Sequence, residues 1–170
     1  MEKKRIIIDT NVLVRATFED YEDHQKNLNI LTSYDIILPE VVIYEYLGIL
    51  IEYVNDIDTI YRVINNLELF EIESIKIKDI KEALKMIKEN NKKLNKSTLN
   101  DFIILSIVKR LNYPFITYDE DLKKIAKKYN IEILELWYII WYNSWNKIYW
   151  HCFIYTTKSR IFGIVTIPFL

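Results

Sequence analysis

Short apolar runs alternate with helix-like segments along residues 1–136 of this 170-residue chain. Ile6-Ile7-Ile8 is a continuous β-branched run, which is typical of a strand buried on both faces. The predicted strands are 6–8, 36–38, 69–72, 115–117 and 131–134. The predicted helices, the fifth of them capped by Ser97 or Thr98, are 20–32, 39–54, 57–67, 78–92, 97–111 and 121–129. This alternation predicts a three-layer α/β/α fold with a mostly parallel sheet.

The composition changes sharply near residue 136. Residues 1–136 hold all 24 acidic residues and 20 of the 23 basic ones, a net charge of −4, whereas residues 137–170 carry +3. All four tryptophans lie in the second part, at positions 137, 141, 145 and 150. We therefore expect one domain over 1–136 and an atypical aromatic C-terminal tail over 137–170.

The tail admits several interpretations. Tryptophans four residues apart would share one face of a helix, which could dock a partner or second subunit, lie on a membrane surface or stack RNA bases. Strands are also possible, with a hairpin around 158–160, and so is an extension under unrelated constraint. A membrane span is not expected, because Asn143, Asn146, Lys147 and His151 interrupt the apolar run.

Composition excludes several kinds of site. The two glycines, Gly48 and Gly163, stand too far apart for a P-loop or a dinucleotide-binding fingerprint. A single cysteine, Cys152, excludes a disulfide framework and a multi-cysteine zinc site. A net charge of −1 gives no global positive field for nucleic acid. The N-terminal apolar run is too short for a secretory signal, so we expect a cytoplasmic protein.

Four acidic residues are predicted to meet at one edge of the sheet. Asp9 ends the first strand, and Asp119 follows the strand 115–117. Glu45 falls in the second turn of the helix after the second strand, and Asp101 in the first turn of its helix. Strand C-termini and helix N-termini share one edge in such a fold. Each acid alone could also be an ordinary turn or capping residue.

Four converging carboxylates would repel one another, and a divalent cation would remove that conflict. No histidine or cysteine is expected nearby, so the ligands would be oxygen atoms, which favours Mg²⁺ or Mn²⁺ over zinc. Carboxylate-held ions of this kind commonly serve phosphate chemistry. The four acids therefore predict a metal site that acts on a phosphate-containing substrate.

The segments around these acids resemble the motifs of PIN-domain ribonucleases, and within them the VapC-type toxins of prokaryotic toxin–antitoxin pairs. The resemblance covers residues 5–134 and rests on four motifs, in order Ile8-Asp9-Thr10-Asn11, Pro39-Glu40-Val41-Val42-Ile43-Tyr44-Glu45, Asn100-Asp101-Phe102 and Thr117-Tyr118-Asp119-Glu120-Asp121. The family often has Ser or Thr where Tyr44 precedes the second acid. This difference from the family pattern at Tyr44 bears on the hydrogen bonds around Glu45 and not on the acid itself.

The resemblance implies a role for each matching residue. Asp9, Glu45, Asp101 and Asp119 would be catalytic, metal-binding acids. Asn11 and Thr117 would support them, with Asp121 as a further outer member. The implied reaction is hydrolysis of RNA phosphodiester bonds, assisted by one or two Mg²⁺ or Mn²⁺ ions.

RNA binding by a net-acidic domain needs a local basic rim. The candidates flank the motifs and are Arg15, Lys92, Lys93, Lys96, Lys123, Lys124, Lys127 and Lys128. Each lysine alone is equally consistent with an ordinary solvated surface. The four lysines of 123–128 lie on one side of a helix, which favours a stripe that faces phosphates.

These observations predict a Mg²⁺- or Mn²⁺-dependent endoribonuclease. By resemblance it would be a toxin, a homodimer neutralised by a small antitoxin that occludes the acidic site. One alternative is a housekeeping PIN nuclease of RNA processing, and another is a catalytically silent RNA- or protein-binding module. An aspartyl-phosphate phosphatase is disfavoured, because Asp9 is followed by Thr10-Asn11 without a second aspartate two residues on.

Overall fold

A computed structural model describes residues 3–135 of the chain. The predictions for the aromatic tail, residues 137–170, lie outside the described residues, and the division near residue 136 stays a prediction. Within 3–135 no helix is long and apolar enough to cross a bilayer.

Four strands form one sheet. They are β1 (Arg5–Ile8), β2 (Asp35–Pro39), β3 (Glu71–Glu73) and β4 (Phe115–Ile116). The seven α-helices of the described part are α1 (Thr10–Thr17), α2 (His24–Ser33), α3 (Glu40–Tyr53), α4 (Ile57–Asn66), α5 (Ile77–Glu89), α6 (Lys96–Leu111) and α7 (Glu120–Lys128). The strand order is β3-β2-β1-β4 and every pairing is parallel.

Both faces of the sheet are covered. Ile6, Ile7 and Ile8 of β1 are all 0% exposed, although successive side chains of a strand point to opposite faces. The strands on either side of β1 are also apolar, since Ile36, Ile37 and Leu38 of β2 and both residues of β4 are buried, whereas the edge strand β3 is largely exposed. The predicted three-layer α/β/α fold with a parallel sheet is therefore confirmed.

Helix α6 is buried around its whole circumference. All seven residues from Phe102 to Val108 are buried, which spans two turns and therefore every direction around the axis. Asn95 caps the N-terminus of the helix, because its side chain accepts a hydrogen bond from the Thr98 N–H at 2.9 Å. The prediction of a cap at Ser97 or Thr98 was wrong, and Asp101 consequently lies in the second turn of α6.

Two further predictions differ from the structure. Helix α1 was not predicted, because the β-branched residues around Leu13 are poor helix formers and obscured the helical pattern. The predicted strand 131–134 is reduced to one parallel bridge between Phe115 and Ile133. The Phe115 N–H donates to the Glu132 carbonyl at 2.8 Å, and the Leu134 N–H to the Phe115 carbonyl at 2.9 Å.

A half-buried ion cluster joins α5 to α6. Arg110 donates to both oxygens of Asp79, at 2.7 and 2.9 Å, and to Glu73 at 2.7 Å. Burial alone would raise the pKa of Asp79, but hydrogen bonds from Arg110 and from the Lys76 N–H outweigh it and lower the pKa. The carboxylate of Asp79 therefore stays charged at neutral pH, inside a helix interface.

Replacing Arg110 by methionine should leave the Asp79 charge buried without its partner. We expect a loss of about 3 kcal/mol of unfolding free energy and a fall of roughly 10 °C in Tm at pH 7. The loss should shrink at acid pH, as protonation neutralises Asp79. Urea and thermal unfolding would measure it, with Lys85→Met, which breaks an exposed pair with Glu89, as the control. Equal losses in the two variants would contradict the importance of the cluster.

Candidate active site

The ends of β1 and β4 place the first site residues side by side. Ile8 of β1 pairs in parallel with Ile116 of β4, and the Asp9 N–H donates to the Ile116 carbonyl at 3.0 Å. The next residues along the two strands, Asp9 and Thr117, are therefore neighbours at the carboxyl edge. Both are buried, with 6% and 1% of their surfaces exposed.

The carboxylate of Asp9 is fixed by three hydrogen bonds. Its Oδ1 accepts from the Thr10 N–H at 2.7 Å, which caps α1. Its Oδ2 accepts from Asn11 Nδ2 at 2.9 Å and from Thr117 Oγ1 at 2.6 Å. Asp9 is thus both a helix cap, the ordinary structural role for an acid at a strand end, and a rigidly oriented buried carboxylate.

Asn11 and Thr117 join the two strand ends into one unit. Thr117 Oγ1 donates to Asp9 and accepts from the Asp119 N–H at 3.0 Å. Asn11 donates to Asp9 through Nδ2 and accepts from the Tyr118 N–H at 3.2 Å through Oδ1. These contacts set the turn between β4 and α7 relative to β1.

Glu45 is held from two elements at once. Its Oε2 accepts from Thr10 Oγ1 at 2.6 Å, and its Oε1 accepts from Asn100 Nδ2 at 2.8 Å. Tyr44 points elsewhere and is 66% exposed. The hydrogen bonds around Glu45 therefore come from Thr10 and Asn100. Neither was predicted for the site, although each directly adjoins an acid in a motif.

Asp101 carries the clearest electrostatic signature of the site. Burial, followed by the charges of Asp9, Glu45 and Asp119, raises its pKa to about 7. Burial likewise raises the pKa of Asp9 to about 6, with the Glu45 and Asp119 charges adding to it and hydrogen bonds from Thr117 and Thr10 opposing it. The four predicted carboxylates are thus brought close enough to interact.

The two carboxylate oxygens of Asp119 differ in their hydrogen bonds. Its Oδ1 caps α7 by accepting from the Asp121 and Leu122 N–H groups at 2.8 and 2.9 Å. No hydrogen bond to Oδ2 occurs within residues 3–135. The side chain of Asp121 is directed to lysines instead, with Lys124 at 3.1 Å and Lys92 at 4.0 Å. The structure therefore brings Asp119, but not Asp121, into the group of acids.

The donor chemistry suits a hard divalent cation. The side chain of Asp101 makes no hydrogen bond within the described part, so Asp101 and Asp119 both keep oxygens available for a ligand. As they stand, however, no three acids, histidines or cysteines of residues 3–135 are arranged to hold a metal ion. The residue types fit Mg²⁺ or Mn²⁺, and the side chains would need to draw together around it.

The predicted RNA-binding residues occupy different surroundings. Lys93 and Lys96 are exposed and pair with no group in the described range. Three lysines of α7 pair with acids, namely Lys123 with Glu120 at 2.6 Å, Lys124 with Asp121 at 3.1 Å and Lys127 with Glu135 at 3.7 Å. Lys128 instead donates to Asn90 Oδ1 at 3.0 Å, and Lys92 lies 4.0 Å from Asp121. Lys93 and Lys96 are therefore the predicted lysines without a partner in the described part, and an RNA role for any of these lysines stays a prediction.

Arg15 lies one helical turn beyond Asn11 and contacts the same strand end. Its guanidinium stacks 4.1 Å from the centre of the Tyr118 ring, and its Nη1 donates to both oxygens of Asp23 at 3.0 and 2.9 Å. The Tyr118 hydroxyl in turn hydrogen-bonds to Asn27, which is 0% exposed. Arg15 is oriented by these neighbours, and its predicted contact with RNA is untested.

The family model for the PIN domain matches residues 6–128, and the chain belongs to the PIN-domain family. No curated protein matches the chain in sequence.

Solved structures of toxin–antitoxin proteins share the fold. VapC20 of Mycobacterium tuberculosis, a toxin that cleaves the sarcin–ricin loop, is 11% identical, with 70% of this chain and 93% of that chain covered and a TM-score of 0.59. VapBC2 of Rickettsia felis, bound to a DNA fragment from its promoter, is 17% identical, with coverages of 76% and 97% and a TM-score of 0.59. FitAcB of Neisseria gonorrhoeae is 16% identical, with coverages of 78% and 98% and a TM-score of 0.59.

Replacing Asp101 by asparagine should stabilise the metal-free protein. A carboxyl whose pKa is raised in the folded state costs stability as the pH rises from its unfolded value of 3.8 towards about 7. At pH 8 we expect a gain in unfolding free energy of about 1 kcal/mol, or a few degrees in Tm, which is modest because the Asp101 side chain is partly solvated. At pH 4 we expect no gain.

Thermal unfolding across this pH range, in buffer free of divalent cations, would measure the gain. Asp58→Asn is the matched control, because Asp58 is an exposed acid in the first turn of α4. A pH-independent difference, or a loss of stability in Asp101→Asn at pH 8, would show that the four charges do not repel one another.

Proposed function

We propose that the protein is a Mg²⁺- or Mn²⁺-dependent endoribonuclease, the toxin component of a VapBC-type toxin–antitoxin pair. The observation that carries this proposal is Asp101, whose carboxyl lies against the charges of Asp9, Glu45 and Asp119. Such repulsion is costly unless a positive charge is bound. With RNA as substrate, the activity belongs in the cytoplasm, as the sequence predicts.

The four acids would hold the cation, which when bound supplies charge neutralisation and activation of a water molecule. Thr117 and Asn11 fix Asp9, while Thr10 and Asn100 fix Glu45, so these two carboxylates need little rearrangement. Asp101 and Asp119 have oxygens left for the ligand. Before a cation binds, burial and the charges of Asp9, Glu45 and Asp119 raise the pKa of Asp101 to about 7, and a bound cation would favour its charged form.

The loop before α6 supports RNA as the substrate class. Lys93 and Lys96 lie in and just after that loop, a short distance along the chain from Asp101. Their exposed ammonium groups, which pair with no group of residues 3–135, can neutralise phosphates of an RNA bound at the acidic site. Arg15, Lys123 and Lys127 would extend the rim, with their present acidic partners exchanged for phosphate.

A protein partner is supported by the exposed surface of α3 and α4. Five large side chains there are mostly exposed, namely Tyr44, Ile51, Tyr53, Ile57 and Tyr61. Exposed apolar groups of this size are typical of interaction surfaces. Complexes of the VapBC type share the fold, which supports a small antitoxin as the occupant. A second copy of the chain, giving the homodimer that the resemblance implies, is the other occupant we propose.

Replacing Asp9 by asparagine should reduce RNA cleavage at least about 100-fold, because a metal-binding carboxylate is lost where transition-state charge develops. The fold should be retained, since the amide oxygen can still accept the Thr10 N–H that caps α1 and the amide nitrogen can donate to Thr117 Oγ1, while the hydrogen bond from Asn11 is lost. Cleavage of total RNA, with sites mapped by primer extension, would measure the effect. EDTA should abolish the activity of the unaltered protein, and Asp58→Asn should leave it unchanged.

Full cleavage by Asp9→Asn, or in EDTA, would contradict the proposal. Calorimetric titration with Mn²⁺ separates the remaining alternatives. Absence of Mn²⁺ binding with RNA binding retained would assign a catalytically silent module. An upstream antitoxin gene distinguishes the toxin from a housekeeping nuclease.

The double variant Lys93→Gln/Lys96→Gln should weaken RNA binding by the inactive Asp9→Asn protein. Two lost phosphate contacts should lower the slope of log Kd against log salt concentration by roughly 1.4. Fluorescence anisotropy with a single-stranded RNA would measure this slope between low and physiological salt. Lys81→Gln, which removes an exposed charge on α5, is the control, and an unchanged slope in the double variant would remove these lysines from the RNA interface.

A further inference from the structure

A small cleft that none of the four site acids lines is bordered by aromatic side chains and one carboxylate. It encloses about 210 Å³ and is lined by Val14, Phe18, Asp20, Tyr21 and Tyr53. These residues come from the last turn of α1, the segment that follows it and the final residue of α3. The volume of the cleft is below the usual range of small-molecule pockets and suits a single long side chain.

Aromatic rings form most of the wall. Phe18 and Tyr53 pack with ring centres 5.6 Å apart and planes tilted by 58°. Phe18 and Val14 are buried, whereas 61% of Tyr53 and 40% of Tyr21 remain exposed. The face of an aromatic ring carries partial negative charge and attracts cations. Rings left exposed around a cleft are therefore available to a positively charged group.

The rim of the cleft is strongly acidic. Asp20 lies between Glu19 and Tyr21, and its exposed carboxylate makes no hydrogen bond or ion pair within residues 3–135. Glu19 and Glu22 are exposed neighbours of the same sign. Arg15, the cation that stacks on Tyr21, is engaged by Asp23. Within residues 3–135 the carboxylate of Asp20 therefore has no positive partner, and it lines the cleft together with the rings.

The same segment already shows how it receives a guanidinium. Arg15 stacks with its central carbon 5.1 Å from the centre of the Tyr21 ring, while Asp23 binds its Nη1. A planar guanidinium stacks on a ring and pairs with a carboxylate at once, which the compact ammonium of lysine does less well. Asp20 and Tyr53 offer a second combination of carboxylate and ring.

We propose that the cleft binds an arginine side chain of a basic segment on a partner protein. Charge complementarity and the aromatic walls support this occupant over an aliphatic side chain, which would leave Asp20 unpaired. The site is separate from the acidic edge and does not depend on nuclease activity. Failure of one proposal therefore leaves the other standing.

Nuclear magnetic resonance titration of the full chain with N-acetyl-arginine methylamide tests the proposal. We expect shifts in the amide signals of Val14, Phe18 and Tyr21, with an affinity in the millimolar range that is about tenfold tighter than for the citrulline analogue. Citrulline keeps the shape of arginine without its charge. The leucine analogue should bind more weakly still.

Matched variants locate the interaction. Asp20→Asn and Tyr53→Leu should each weaken arginine binding severalfold, and Glu68→Gln, an exposed acid outside the cleft, should not. Cleavage of RNA should be unchanged in all three variants. Equal binding of arginine and citrulline, or shifts confined to the acidic edge, would overturn the proposal. A dimer of the unaltered protein that dissociates in Asp20→Asn would assign the cleft to a second copy of this chain. That result would contradict the proposal that a different protein supplies the arginine.

Discussion

Mutual repulsion among four carboxylates is the constraint on which the candidate site depends. Asp9, Glu45, Asp101 and Asp119 come from four separate stretches of the chain, and folding alone brings their charges together. Burial raises the pKa of Asp9 and of Asp101, and the charges of the neighbouring acids add to the effect. The polar residues around them offset part of this cost, which explains why Thr10, Asn11, Asn100 and Thr117 lie where they do.

The hydrogen bonds divide the four acids into two kinds. Asp9 and Glu45 accept from side chains or backbone groups through both of their oxygens. Asp101 and Asp119 each retain an oxygen with no partner in the described part. The first pair has a fixed orientation, and the second pair can adapt to a ligand. A site built this way combines preorganisation with the freedom to complete a coordination sphere.

Much of this arrangement could be predicted from the sequence, because it depends on local patterns. The apolar run at 6–8 identified β1, and a single charge in the otherwise uncharged stretch 41–51 identified Glu45 as unusual. The positions of the acids at strand ends and helix starts followed from the parallel topology. The family match covers residues 6–128, and the roles of the four acids stay a prediction.

Other features depend on tertiary contacts that no local pattern encodes. The bonds from Thr10 and Asn100 to Glu45 span 35 and 55 positions along the chain. The cap of α6 was misplaced because Asn95, Ser97 and Thr98 all favour such positions, and only geometry selects Asn95. Helix α1 escaped prediction because its β-branched residues favour a strand in isolation, whereas packing against α2 and α3 makes it a helix.

The burial of α6 on every side has a mechanical consequence. A helix wedged into the interior cannot slide or tilt without opening voids, and close-packed interiors resist such voids. Asp101 directly precedes this buried stretch, so moving its backbone away from the edge would disturb the close packing of the interior. Rotation of a side chain, uptake of a proton or arrival of a counter-charge would relieve the crowding at lower cost. The packing of the core therefore favours a chemical over a mechanical response to the repulsion among the four acids.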